Sequence, residues 1–269
     1  RFELFVFLNA LVEEETIFDS SPSNDTIAAA EPLNGSDLAL PGGGRRLGAI
    51  GNLSVGTLID ITDIGFTQGV VGGPSRALTY SPSSGGFLFS DGGTLYDLTT
   101  AGAVSPLGTF DHLAKGLAFV GSTLYSVDRN SATLRELNPA NGATLSSTSL
   151  TAPGETIVGA FALATEPATD TLWALLELSS SGFSSLARID QNTGAATLVG
   201  NVGDWFSGIA VDTNGRLLGI TNSRSLNGPG NLFEISTVDA GTSLLGQLSP
   251  ATGNGETLAW NPLNDRLYR

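Results

Sequence analysis

The one histidine, His112, follows a carboxylate in Phe110-Asp111-His112. With a serine these two could form a nucleophile, base and orienting carboxylate, the imidazole taking the hydroxyl proton. Neighbouring residues of a strand point to opposite faces, which would part Asp111 from His112, and no Gly-x-Ser-x-Gly elbow occurs. His112 is therefore read as a loop residue. Asp190-Gln191-Asn192-Thr193-Gly194 sets oxygen ligands at alternate positions, as the start of a calcium loop does. Asp212-Thr213-Asn214-Gly215 and the pair Asp60 and Asp63 come less close. The first two lack a glutamate at the bidentate position, and the aligned Asn138-Pro139-Ala140-Asn141-Gly142 has no aspartate. These segments read as turns, built from residues that tolerate left-handed backbone. No cofactor is expected, calcium being the one ion whose site they approach.

Trp173, Trp205 and Trp260 could stack on sugar rings. Trp173 and Trp260 stand in a repeated frame described below and are expected in the core, leaving Trp205 as the exposed candidate. A glycosidase needs two opposed carboxylates; the chain has 26 Asp and Glu, and spacing selects no pair among them. On these grounds the sequence predicts a protein that is not an enzyme.

The totals narrow the partners. The chain has 269 residues, of which 41% are hydrophobic, and a net charge of −14. Lys115 is the only lysine. Nucleic acid is not expected as a partner, because phosphate binding needs clustered Lys and Arg. No apolar run approaches the ~18–20 residues of a membrane span; Phe2–Leu8 is far shorter and contains Glu3. With no Cys, disulfides and Cys-ligated zinc are excluded. With no Met, the chain is expected to be a processed or partial product. Abundant Gly, Ser and Thr accord with an extracellular or cell-surface protein.

What must position any site is a repeat. Leu163-Ala164-Thr165-Glu166-Pro167-Ala168-Thr169-Asp170-Thr171-Leu172-Trp173 lies without a gap on Leu258-Ala259-Trp260-Asn261-Pro262-Leu263-Asn264-Asp265-Arg266-Leu267-Tyr268. The same frame starts at Leu78, Leu117 and Ile209, so that five anchors stand roughly 40–50 residues apart. A third short strand follows in each complete unit: Leu95–Leu98, Leu134–Leu137, Leu186–Ile189 and Leu232–Ile235. A turn and a fourth strand come next, three of the latter closing on Leu107-Gly108, Val199-Gly200 or Leu245-Gly246. Sheets this small bury both faces only by stacking on one another, and this period with four strands predicts an all-β propeller of five or six blades.

The succession Leu-Ala, Pro with Asn or Asp, Leu-Tyr or Leu-Trp, Ile-Asp and Thr-Gly resembles secreted bacterial β-propellers of the YVTN/NHL-like kind, over about Arg76 to Arg269. Residues 15–62, with Ser23-Asn24-Asp25-Thr26 and Glu31-Pro32-Leu33, more faintly resemble a pre-peptidase C-terminal-like β module. Three parts are expected: a strand in residues 1–18, a linker with a short β segment in 19–66, and the propeller in 67–269. Asn-x-Ser/Thr sequons at Asn24, Asn34 and Asn52 fall before the repeats.

The last unit ends after its second strand, and Arg1-Phe2-Glu3-Leu4 resembles Leu232-Phe233-Glu234-Ile235. Phe2, Leu4, Val6 and Leu8 would share one strand face and complete the blade of Leu258, Trp260, Leu267 and Tyr268, in the same chain or a neighbouring one. Donation between chains gives a homo-oligomer or, if it does not close, a filament. The first functional expectation is thus an extracellular structural or adhesive protein. The second is a self-closed propeller binding carbohydrate or protein, and the third a polysaccharide hydrolase or lyase.

Overall fold

The computed structural model describes residues 77–100, 102–248 and 257–269, and before them the strand pairs and single strand at residues 6–7, 10–11, 38–39, 45–46 and 61–62. Two compact units divide the chain, Arg1–Leu58 and Ile59–Arg269. In the first, Val6–Phe7 pairs antiparallel with Ala10–Leu11, and Leu38–Ala39 with Arg45–Arg46. The sequons, Asp60 and Asp63, Phe2, Leu4 and Leu8, and the segment 19–66 apart from Leu38–Ala39, Arg45–Arg46 and Ile61–Thr62 lie outside the described residues.

The second unit is a β-propeller. Blade I comprises Ala77–Tyr80, Phe87–Ser90, Thr94–Leu98 and Val104–Thr109; blade II, Ala114–Val120, Thr123–Asp128, Ser131–Leu137 and Thr144–Ser149. Blade III comprises Ile157–Glu166, Thr171–Leu178, Ser184–Ile189 and Ala196–Asn201; blade IV, Phe206–Val211, Leu217–Thr221, Asn231–Ile235 and Thr242–Gln247. Each is a four-stranded antiparallel meander in sequence order. Blade V contributes Ala259–Asn261 and Arg266–Tyr268. Its first strand touches the first strands of both blade IV and blade I, so the five first strands close a ring. They run from an upper face, where they start, to a lower face, where they turn into the second strands.

Burial falls from the axis outward, and the residue types follow it. The second strand of blade I, Phe87–Ser90, is buried throughout, because both sheet faces meet neighbouring blades. The fourth strand of blade II reads Thr-Leu-Ser-Ser-Thr-Ser and is largely exposed. A register shift separates third and fourth strands in all four complete blades; with Ser and Thr outward, such bulges blunt an edge that could otherwise recruit foreign strands.

The Leu-Gly ending has a steric cause. A Cβ at Gly108 would stand 2.0 Å from the carbonyl oxygen of Asn141, in the third turn of the next blade, and one at Gly200 would stand 2.9 Å from that of Asp239. Blade II has no such glycine; there the facing turn supplies it, a Cβ on Gly194 falling 2.2 Å from the Ser149 oxygen, at φ +72°. Around Gly246 no described atom lies within 4 Å of that position.

The strand beside Arg266–Tyr268 is Ile61–Thr62, with Leu267 opposite Ile61 and Tyr268 opposite Thr62, and it runs parallel. A third strand would run antiparallel. This one has the polarity of a fourth strand, which leads to the upper face where the next first strand, Ala77–Tyr80, begins. Leu258, Leu267 and Tyr268 are buried. Leu258 and Leu267 pack with Leu218, Ile220 and Leu232 of blade IV, and the Tyr268 ring lies 4.5 Å from that of Phe87 in blade I. Among the described residues no helix is long and apolar enough to cross a membrane.

Gly108→Ala and Gly200→Ala should each destabilise by about 1–3 kcal/mol, since backbone must move to admit the methyl. Gly246→Ala should change stability by less than about 0.5 kcal/mol. Urea unfolding of the three variants checks this, and equal losses at all three would sink the explanation.

Candidate functional site

The five anchors meet on the axis. Leu78, Leu117, Leu163, Ile209 and Leu258 are all buried and line both axial cavities. The cavity towards the upper face is a slit of about 10 Å³. Towards the lower face the axis widens to about 590 Å³. The residues two beyond each anchor share its side of the strand, and all five line this cavity: Tyr80, Phe119, Thr165, Val211 and Trp260. Three are aromatic. The rim includes Glu166, Asp170 and Asp212.

Two polar atoms in this wall lack partners among the described residues. The Trp260 Nε1 and the Thr165 Oγ1 are buried without a hydrogen bond. An unmade bond of this kind costs about 1–3 kcal/mol, and buried polar groups are otherwise nearly always paired. Both atoms lie beneath the cavity surface, closed to solvent.

The rim is held by its own turns. Asp212 is buried; it accepts from Arg216 Nε at 2.7 Å and from the N–H groups of Asn214 and Arg216 at 2.9 and 2.8 Å. Glu166 accepts from Thr169 Oγ1 at 2.9 Å. A Cβ at Gly215 would fall 3.4 Å from Glu166 Oε1, which places the Glu166 carboxylate against the Asp212–Arg216 turn of the next blade. No ion pair to Glu166 is found among the described residues.

Trp260 was expected in the core and is instead half-buried in the axial wall. The signal that finds it is its place two residues after an anchor, where blades I and II carry Tyr80 and Phe119. Trp173 is buried in blade III, with the Arg188 guanidinium 5.9 Å from its ring centre. Trp205 stands at the upper face, half-buried.

The reading of His112 changes. Asp111 and His112 lie in the loop between blades I and II, so strand alternation does not apply, and their side chains meet: Nδ1 to Oδ1 is 2.8 Å. His112 Nε2 is 2.8 Å from Ser126 Oγ, and Thr144 Oγ1 donates to Asp111 at 2.9 Å. Burial, first of all, pulls the imidazole below its ordinary pKa, so the neutral ring donates from Nδ1 to Asp111 and accepts the Ser126 hydroxyl at Nε2. The order of groups is that of a serine hydrolase, but Ser126 is wholly buried and lines neither axial cavity. The chain of bonds instead ties the loop to the second strand of blade II. At the upper end of the same strand, Asp128 accepts from Arg135, Ser131 and the Asn130 N–H; burial alone would raise its pKa, and these bonds hold it low.

The turns that approach calcium loops use their oxygens internally. Asp190 Oδ1 accepts the N–H groups of Asn192 and Thr193 at 2.9 and 3.0 Å, and Asn138 Oδ1 accepts that of Ala140 at 2.9 Å. Among the described residues no three His, Asp or Glu side chains come together as a metal-ligand group.

No protein-family model matches the chain, and no curated protein matches it. Solved structures do. One protein provisionally assigned as a gluconolactonase is 15% identical, with 70% of this chain and 68% of that chain covered and a TM-score of 0.50. A gluconolactonase from Xanthomonas campestris is 12% identical over 70% of this chain and 80% of that one, with a TM-score of 0.44. A luciferin-regenerating enzyme is 11% identical over the same shares, with a TM-score of 0.42. The first likeness shows the propeller fold, and the resemblance to propellers read from the repeats holds at that level. The expectation that the chain is not an enzyme is corrected here: the first of these, a ring of this build, is named as a gluconolactonase, and the absence of a catalytic motif in one strand does not count against groups gathered from several blades around an axis.

The His112 pKa is lower in the folded chain than its ordinary 6.5, so the unfolded chain binds the proton more readily. Stability should be fully present above about pH 6.5 and fall as pH drops below it; the aspartates held low act only at more acid pH, below about 3.8. His112→Gln should flatten the dependence between pH 7 and 5, measured by urea midpoints; an unchanged slope would remove His112 as its source.

Proposed function

We propose that this chain is a propeller that binds a small uncharged ring compound, a sugar or sugar lactone, in the lower axial cavity. The observation that carries this reading is a cavity of about 590 Å³ on the axis whose wall holds three aromatic side chains, Tyr80, Phe119 and Trp260. Aromatic faces cover the C–H face of a sugar ring while a few polar groups fix its orientation, the usual make-up of a small-molecule site. The acidic rim of Glu166, Asp170 and Asp212 disfavours anions. The composition supports placing the protein outside the cell.

The filament reading rested on an unpaired edge at Arg266–Tyr268. That edge pairs with Ile61–Thr62, so donation by Phe2, Leu4, Val6 and Leu8 no longer has that support.

A second reading is hydrolysis of such a compound, with Glu166 as the acid–base group. Its support is a rim carboxylate without a cationic partner among the described residues, set against the turn of the adjacent blade; the first enzyme named above holds the same fold.

Trp260→Phe replaces the indole in the cavity wall by a smaller ring. It should weaken sugar or lactone binding about fivefold, the equivalent of about 1 kcal/mol of lost ring contact, in saturation-transfer NMR and calorimetry against a panel of neutral sugars and lactones. Glu166→Gln should abolish turnover of any lactone that the wild type opens, yet leave binding within about twofold. No binding by any neutral ring compound, or binding indifferent to Trp260→Phe, would refute the assignment.

A further inference from the structure

The upper face carries a second array with the opposite electrostatic character. It brings together Arg129 of blade II, Phe161 in the first strand of blade III, Phe183 in a turn of blade III, and Trp205 and Arg224 in the loops of blade IV. The Arg129 guanidinium lies 5.6 Å from the centre of the Phe161 ring. Phe161 meets Trp205 edge to face at 6.3 Å, and Phe183 meets Trp205 likewise at 6.1 Å. The Arg224 guanidinium lies 5.7 Å from the Trp205 ring centre. Cation, ring, ring and cation thus run across three blades. A guanidinium over an aromatic face is held in place while its N–H edge stays free for a carboxylate or sulfate.

The charges here are out of keeping with a chain of net charge −14. No ion pair to Arg129 or Arg224 is found among the described residues. The nearby carboxylates are engaged elsewhere. Asp204 is buried and accepts from Ser225, Asn227 and the Leu226 N–H. Glu155 accepts from Ser180, and Asp128 pairs with Arg135. Asp111, also at this face, is held by His112 and Thr144. Arg224 is exposed and Arg129 half-buried.

We infer that the upper face is a binding surface for an extended anionic polysaccharide, one bearing uronate or sulfate groups. Extension follows from the span of the array over three blades and from the narrowness of the axis on this side, which admits no ligand of size. The anionic character follows from the two guanidinium groups. A glycan fits better than an acidic peptide because the turn amides that would hold a peptide backbone are already used: Asn130 N–H by Asp128, Arg224 N–H by Asn222, Leu226 N–H by Asp204 and Asn227 N–H by Ser225. This surface is independent of the lower cavity.

The test is binding of the full chain to oligogalacturonate, a neutral gluco-oligosaccharide of equal length and poly-glutamate, at low and moderate salt. Oligogalacturonate should bind, more weakly as salt rises, and the other two should bind at least tenfold more weakly. Arg224→Gln and Arg129→Gln should each weaken it about three- to tenfold, with Arg129→Lys recovering part of the loss. Trp260→Phe should leave it unchanged. Equal binding of the neutral oligosaccharide, equal binding of poly-glutamate, or indifference to both arginine substitutions would each overturn the inference.

Discussion

The constraint on which everything else depends is that no blade can bury its own faces. A four-stranded sheet of this size has two apolar surfaces and no internal core. Its middle strands are buried because the neighbouring blades cover them, as the fully buried Phe87–Ser90 shows. Clusters of buried side chains therefore run between blades: Leu88 and Leu95 of blade I pack with Leu124 and Leu137 of blade II, and Trp173 and Leu186 of blade III with Phe206 and Leu217 of blade IV. Stability is a property of the interfaces, and so is the need for glycine where backbone meets backbone, at Gly108, Gly159 and Gly194.

The same constraint makes the axis. Five first strands brought side by side cannot fill the middle completely, and the repeated Leu or Ile narrows it at one level only. Below that level the positions two residues on are packed less completely than the anchors, four of the five being only half-buried. They differ from blade to blade, as Tyr, Phe, Thr, Val and Trp. A ring so built has a conserved geometry and an individual lining. That is why the lower cavity can carry specificity without disturbing the fold.

The two faces divide the chemistry. The lower one offers aromatic walls and an acidic rim, suited to a neutral ring. The upper one offers arginines resting on aromatic rings, suited to negative charge. The chain of Asp111, His112 and the buried Ser126 shows how hydrogen-bonding groups can adopt the order of a catalytic set and still serve as a tie between a loop and a strand. Access decides the difference: a nucleophile without exposure has no substrate.

The sequence by itself determined the blades. Antiparallel strands joined by short turns pair with their chain neighbours, so anchors such as Leu163 and Leu258, the turn Asp190–Gly194 and the Leu-Gly endings are local facts that repetition makes legible. It also put Trp173 correctly in the core. Tertiary structure alone decided what distant segments do. Ile61–Thr62 covers the edge of blade V in parallel, a pairing across two hundred residues that two strand residues cannot announce. Trp260 lines a cavity because four other blades stand opposite it. Arg129, Phe161, Trp205 and Arg224 form one surface because stacking blades brings their turns together. Strand pairing within a blade is a contact between neighbours in sequence, whereas a site on a propeller is a contact among blades, and no single segment encodes it.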